Sequence, residues 1–113
     1  LAELLENAVI VLEKTTQSLQ QQMAADIDHG LANATVYLDM FGRIVGAWIW
    51  LKQALIAAEA LTSKLHESDE HFYRGKLQAA KYYIDWELPA IEQHAELLTA
   101  GNSVTFEMRD EWF

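Results

Sequence analysis

Cysteine is absent from the 113 residues, which excludes disulfides, zinc–thiolate sites and thiol nucleophiles without fixing the compartment. Proline occurs once and glycine five times, leaving few of the turns that sandwiches and barrels require, so helices are favoured over an all-β fold. Basic residues are scarce. Eight Lys and Arg against seventeen Asp and Glu give a net charge of −9, which repels phosphate backbones and anionic lipid surfaces and makes nucleic acid and membranes poor partners. Long apolar runs are missing too: Ile44 to Leu51, counted through Gly46, is the longest, far below the roughly 20 residues that cross a bilayer. The expected location is cytoplasmic.

What is present is a 51% hydrophobic, 22% charged composition, enough for one folded domain over residues 1–113 and too little for two cores. The chain opens on Leu1 within a helical pattern containing Glu3 and Glu6, not on a basic leader. It reads as a piece of a longer chain.

In the first segment Leu1, Leu5, Ala8, Leu12, Leu19 and Met23 recur with Thr16 filling the gap, the one-face pattern of an amphipathic helix running to about Ala25. Asp26 to Gly30 combines capping side chains with glycine and predicts a turn. From about Leu31 to Leu65 two apolar stripes lie side by side. Tyr37, Phe41, Ile44, Trp48, Leu51, Leu55 and Ala58 form one; Val36, Met40, Ala47, Ala54 and Leu61 form the other. Two apolar faces imply two sets of neighbours. Trp48 on the main stripe is expected in the core, where its loss would cost about 3–5 kcal/mol. Asp39 and Arg43, four apart, can pair on the polar strip for a few tenths of a kcal/mol.

His66 to Glu70 is a polar break, with Ser68 or Asp69 as the predicted N-cap of the next helix. The third pattern, Tyr73, Leu77, Ala80, Ile84, Leu88, Ile91, Ala95 and Leu98, keeps phase across Pro89 and predicts one helix bent at the proline. Gly101-Asn-Ser103 stops it. The tail from Val104 is expected as an extended strip docked by Phe106, Met108 and Trp112. The predicted fold is an all-α bundle of three long helices with a short C-terminal tail.

No chemistry-bearing motif stands out. The Glu-x-x-His of di-iron bundles is absent, since Ser68 precedes His71 and Ile91 precedes His94 at that spacing. His66, Glu67 and Glu70 belong to the polar inter-helix break, and with nearby His71 they could hold a divalent ion only loosely, so they read as solvated residues. Gly42 and Gly46 form a G-x-x-x-G whose simplest use is a tight helix crossing, and the aromatics around Trp48, Trp50, Phe72 and Trp86 suit a core or interface. No G-x-S-x-G, P-loop, dinucleotide fingerprint or H-E-x-x-H occurs. No catalytic, cofactor-binding or metal residues are assigned. The interface candidates are Phe41, Trp48 and Trp50, the last because it lies off the main stripe with no obvious internal partner. Self-association as a homo-oligomer through that surface is expected, unless Trp112 and Phe113 fold back over it.

The run Asn33 to Trp48 (NATVYLDMFGRIVGAW), followed by Phe72 to Tyr83 (FYRGKLQAAKYY) and the Leu88-Pro89 step, resembles the helical domain at the far C-terminus of one group of acyl-CoA dehydrogenases, that of 3-methylmercaptopropionyl-CoA dehydrogenase-like enzymes. The resemblance spans most of the chain, and the ending Asp110-Glu-Trp-Phe113 is similar to the natural end of such proteins. It departs at Gly75, where a better helix former is expected. The resemblance implies a parent flavoenzyme that uses FAD to oxidise an acyl-CoA thioester to the 2,3-enoyl-CoA, with flavin, CoA groove and catalytic carboxylate in the preceding domains. This chain would be its C-terminal fragment, non-catalytic and without cofactor, packing on the rest of the parent chain and on sister subunits. The alternative is a free-standing metal- or ligand-binding bundle.

Overall fold

The computed structural model describes residues 1–101 and 103–113; Asn102, part of the predicted stop, lies outside them. Helix α1 runs Ala2–Ala25 and buries Leu5, Ala8 and Thr15, with Leu12 and Leu19 packed alongside. A buried threonine needs a partner for its hydroxyl, and Thr15 finds one within its own helix, donating to the Val11 carbonyl at 2.8 Å. Asp26, in an extended conformation, ends α1. Its carboxylate accepts from the N–H groups of Asp28 and His29, so the segment predicted as a turn is a short capped helix, α2 (Ile27–Leu31).

Helix α3 spans Ala34–Ala60, shorter at both ends than the predicted 31–65. It runs antiparallel to α1, and the Thr16 and Tyr37 hydroxyls share a 2.8 Å hydrogen bond across the pair. One face is buried through Met40, Ile44, Ala47, Ala54 and Ala57: Met40, Ala47 and Ala54 come from one predicted stripe, Ile44 from the other and Ala57 from neither. The expectation that Trp48 lies in the core is not met: it is 51% exposed. The helical rotation that puts Met40, Ile44 and Ala47 inside carries Trp48 away from the core, and the burial cost assigned to it does not apply.

Helix α4 (Glu67–Tyr82) starts directly after His66 with no side-chain cap, so neither Ser68 nor Asp69 is the N-cap. Glu67, Asp69 and Glu70 instead occupy the first turn, where the positive end of the helix favours them. The predicted continuous phase through Pro89 holds, with Ala80, Ile84, Leu88, Ile91 and Leu98 all buried. Where a bend at the proline is expected, the helix is interrupted by a π turn at Tyr83–Glu87, in which Leu88 N–H reaches back to the Tyr83 carbonyl at 2.9 Å, followed by α5 (Ala90–Thr99). Proline cannot supply the next helical donor, and the widened turn absorbs that loss just before it. Gly101, at φ +66°, ends α5 in the left-handed conformation that favours glycine.

The tail does not dock as predicted. It forms a short helix α6 (Val104–Glu107) and a 3₁₀ turn at Asp110–Trp112, with Phe106 and Met108 exposed, Trp112 62% and Phe113 95% exposed. The Thr105 hydroxyl donates to the Asn33 side-chain oxygen at 3.4 Å, which ties α6 to the start of α3.

Helix α3 is the centre of the arrangement. It packs against α1, α4 and α5, whereas α4 rests mainly on α3. The outer half of α3 and the length of α4 therefore form a two-helix arm whose buried residues are the small Ala54, Ala57 and Ala80. The molecule is a slab of 65 × 30 × 16 Å with a radius of gyration of 19.1 Å, against about 13 Å for a compact chain of this length.

Candidate functional site

Alanines and one small crossing residue let α3 and α4 approach closely. A Cβ built on Gly46 would collide with the Tyr83 hydroxyl, whereas one on Gly42 would meet nothing within 4 Å. Half of the predicted G-x-x-x-G thus serves the crossing and half faces open space. The Tyr83 hydroxyl donates to the Arg43 carbonyl at 3.0 Å. Burial raises the Tyr83 pKa above the usual 10.0, with Glu87 and Asp39 adding to the rise and Arg43 opposing it.

Arg43 is the polar pin of the bend. Its Nη1 donates to the Glu87 carbonyl at 3.3 Å and to the Glu87 carboxylate at 3.1 Å, while Nε lies 3.7 Å from Asp39. The predicted Asp39–Arg43 pair exists, but its stronger partner is Glu87, which sequence spacing does not reveal. On α5 the half-buried His94 sets Nε2 3.5 Å from the other Asp39 oxygen, an ion pair when the imidazole is protonated. This cluster ties α3 to the bend and to α5. It is a structural joint: the carboxylates are occupied by Arg43 and His94. His71 stands 3.9 Å from Glu67 on the open face of α4; Glu67 and Glu70, assigned to the predicted break, lie in the first turn of that helix. Among the described residues no group of three or more His, Asp or Glu is arranged to hold a metal ion.

The clefts are small and apolar. One of about 240 Å³ lies between α1, α2 and α3 over Leu19, Met23 and Tyr37. A second, of about 190 Å³, lies beside the bend over Ala8, Ile84 and Pro89. A wider depression of about 430 Å³ is bounded only by Thr35, Val36, Leu38 and Asp39 of α3. A flavin dinucleotide needs an enclosed pocket with several convergent polar groups, and these clefts do not fit one.

The distinctive surface is the outer side of α3, opposite its buried face. Phe41 and Trp48 lie there, exposed, with the Lys52 ammonium 4.7 Å from the Trp48 ring centre. They are joined by Leu38, Val45, Ile49, Leu55 and Ile56, of which only Leu55 belongs to a predicted apolar stripe. The missed signal was charge: between Asp39 and Glu59 the sequence holds Arg43 and Lys52 and no carboxylate. Trp50 is the exception among the candidates. It is half-buried on the α4 side, with the Lys76 ammonium 5.7 Å from its ring, so it has the internal partner the sequence did not show. Trp112 and Phe113 do not fold back over the stripe.

No helix among the described residues is long and apolar enough to cross a membrane. No curated protein matches the chain in sequence. A family model described as acetyl-CoA dehydrogenase C-terminal like matches residues 1–109, taking in the bend, the Arg43 joint and the whole of α3. An all-helical chain matched over nearly its full length, with a central helix finished on one face and uncovered on the other, belongs to the acetyl-CoA dehydrogenase C-terminal-like family.

Proposed function

We propose that this chain is the packing domain of an FAD-dependent acyl-CoA dehydrogenase, which oxidises an acyl-CoA thioester to the 2,3-enoyl-CoA in domains other than this one. The family match over residues 1–109 carries the reading. The uncovered face of α3 supports it, because a domain whose work is to pack on other domains or subunits needs a large apolar surface and no catalytic constellation. The division of labour follows from what the side chains are doing. Arg43, Glu87, Asp39 and His94 are engaged with one another in tying α3 to the π turn and to α5. Cytoplasmic location belongs to the same proposal.

The test is the reading frame upstream of Leu1 and the activity of its full product. A long frame encoding flavoprotein domains, whose purified product is yellow and reduces an electron acceptor with an acyl-CoA, is the expected result. The 113-residue chain alone is expected to retain no FAD. A start codon at Leu1, or a yellow and active 113-residue protein, overturns the proposal.

A further inference from the structure

The chain exposes 8027 Å², whereas a compact monomer of 12.9 kDa exposes about 6,300 Å². The excess, about 1,700 Å², exceeds the roughly 800 Å² that each partner contributes to a standard interface. Its most ordered part is the outer stripe of α3, where Leu38, Phe41, Val45, Trp48, Leu55 and Ile56 follow one another at helical spacing over about 27 Å of helix. We infer that this stripe is a two-fold seam, on which α3 of a second copy of the same chain lies antiparallel, centred near Trp48. The inference deepens the packing-domain reading by naming the partner of its open face.

Two observations select a second copy. The first is self-complementarity. An isologous interface needs a surface that matches its own reverse, and an antiparallel copy centred near Trp48 sets Phe41 opposite Leu55 of the second copy and Leu38 close to Ile56 of the second copy. The second is charge. A molecule of net charge −9 repels its own copy, yet from Met40 to Ala58 there is no carboxylate to be brought face to face. The pairing also supplies what the two-helix arm lacks. Two such arms, back to back, make the four-helix arrangement in which each α3 is covered on both sides.

The absence of native cysteine makes the test direct. Sedimentation of the 113-residue chain should give twice 12.9 kDa, and Val45→Glu should give a monomer with unchanged helical circular dichroism, because Val45 lies outside the buried core cluster and the residues packed on it. Trp112→Glu, on the exposed tail, should remain a dimer. Ile49→Cys, close to the axis, should oxidise to a covalent dimer. Leu38→Cys should not, since antiparallel pairing puts the two copies of that position about 30 Å apart along the helices. A concentration-independent wild-type monomer overturns the seam and leaves other domains of the parent chain as occupant; a dimer that survives Val45→Glu overturns it as well. A covalent dimer of Leu38→Cys overturns the antiparallel arrangement. None of these results bears on the upstream reading frame, so the seam and the dehydrogenase reading fail separately.

Discussion

At the scale of single residues, two glycines four positions apart have opposite roles. Gly46 sits under the Tyr83 ring with no room for a methyl group, and Gly42 faces open space. Gly42→Ala should stabilise the chain by up to about 1 kcal/mol through helix propensity. Gly46→Ala should destabilise it by about 1–3 kcal/mol, because Tyr83 must give up its place against α3. Urea unfolding of both variants checks the pair, and equal shifts would show that the crossing is looser than its geometry. Tyr83 adds a pH signature. Its pKa is raised by burial above the unfolded value of 10.0, so the neutral phenol is the form the fold favours. That contribution is complete below pH 10.0 and is lost as the pH climbs through the raised value, where the phenolate can no longer donate to the Arg43 carbonyl. Tyr83→Phe should lower stability at neutral pH by about 0.5–1.5 kcal/mol for the lost hydrogen bond. It should also flatten the alkaline fall, measured as unfolding free energy against pH; an unchanged alkaline slope would place the titrating group elsewhere.

Among the elements, the bend between α4 and α5 combines a local cause with a distant one. Pro89 withholds a donor, and the π turn at Tyr83–Glu87 accommodates it. Arg43, reaching across from α3, holds the Glu87 carbonyl and carboxylate in place. Arg43→Met should cost about 1–3 kcal/mol, since it leaves a part-buried carbonyl and two carboxylates without their shared partner. Hydrogen exchange at the Leu88 amide should speed up with it, and an unaffected amide would mean that the proline alone sets the bend. The same contrast separates what was legible in the sequence from what was not. The span of α1, the phase of the third stripe through Pro89 and the stop at Gly101 follow from periodicity, a missing N–H and a permissive φ, all written within a few residues. The inner face of α3 is not written locally, because both of its faces are apolar. Ile44 goes in and Trp48 comes out because Ile44 joins the buried cluster that includes Ile84 and Leu88, residues some forty positions away. The tail differs from its expectation for a related reason: Phe106 and Trp112 look like docking residues in the sequence, yet both remain more than half exposed, because an apolar side chain does not specify the surface that would receive it.

For the molecule as a whole, shape sets the energetics. A slab 16 Å thick gives most helices only one packed side, and the burial that would make the chain independently robust is missing. Unfolded, a chain of this mass exposes about 18,700 Å², so folding to 8027 Å² removes about one seventh less surface than folding to a compact form would. The denaturant m-value and the heat-capacity change of unfolding both scale with that area. For dilute monomer, each should fall below the value for a compact chain of 113 residues by a similar fraction. If the outer face of α3 is covered at higher concentration, mass action should raise the midpoint of thermal unfolding with concentration, while a monomer's midpoint stays fixed. Calorimetry over a dilution series reads both quantities at once. An m-value and heat capacity at the compact norm, with a midpoint independent of concentration, would mean that the chain closes on itself in solution. The uncovered stripe would then lose its role as the place where this domain meets its neighbours.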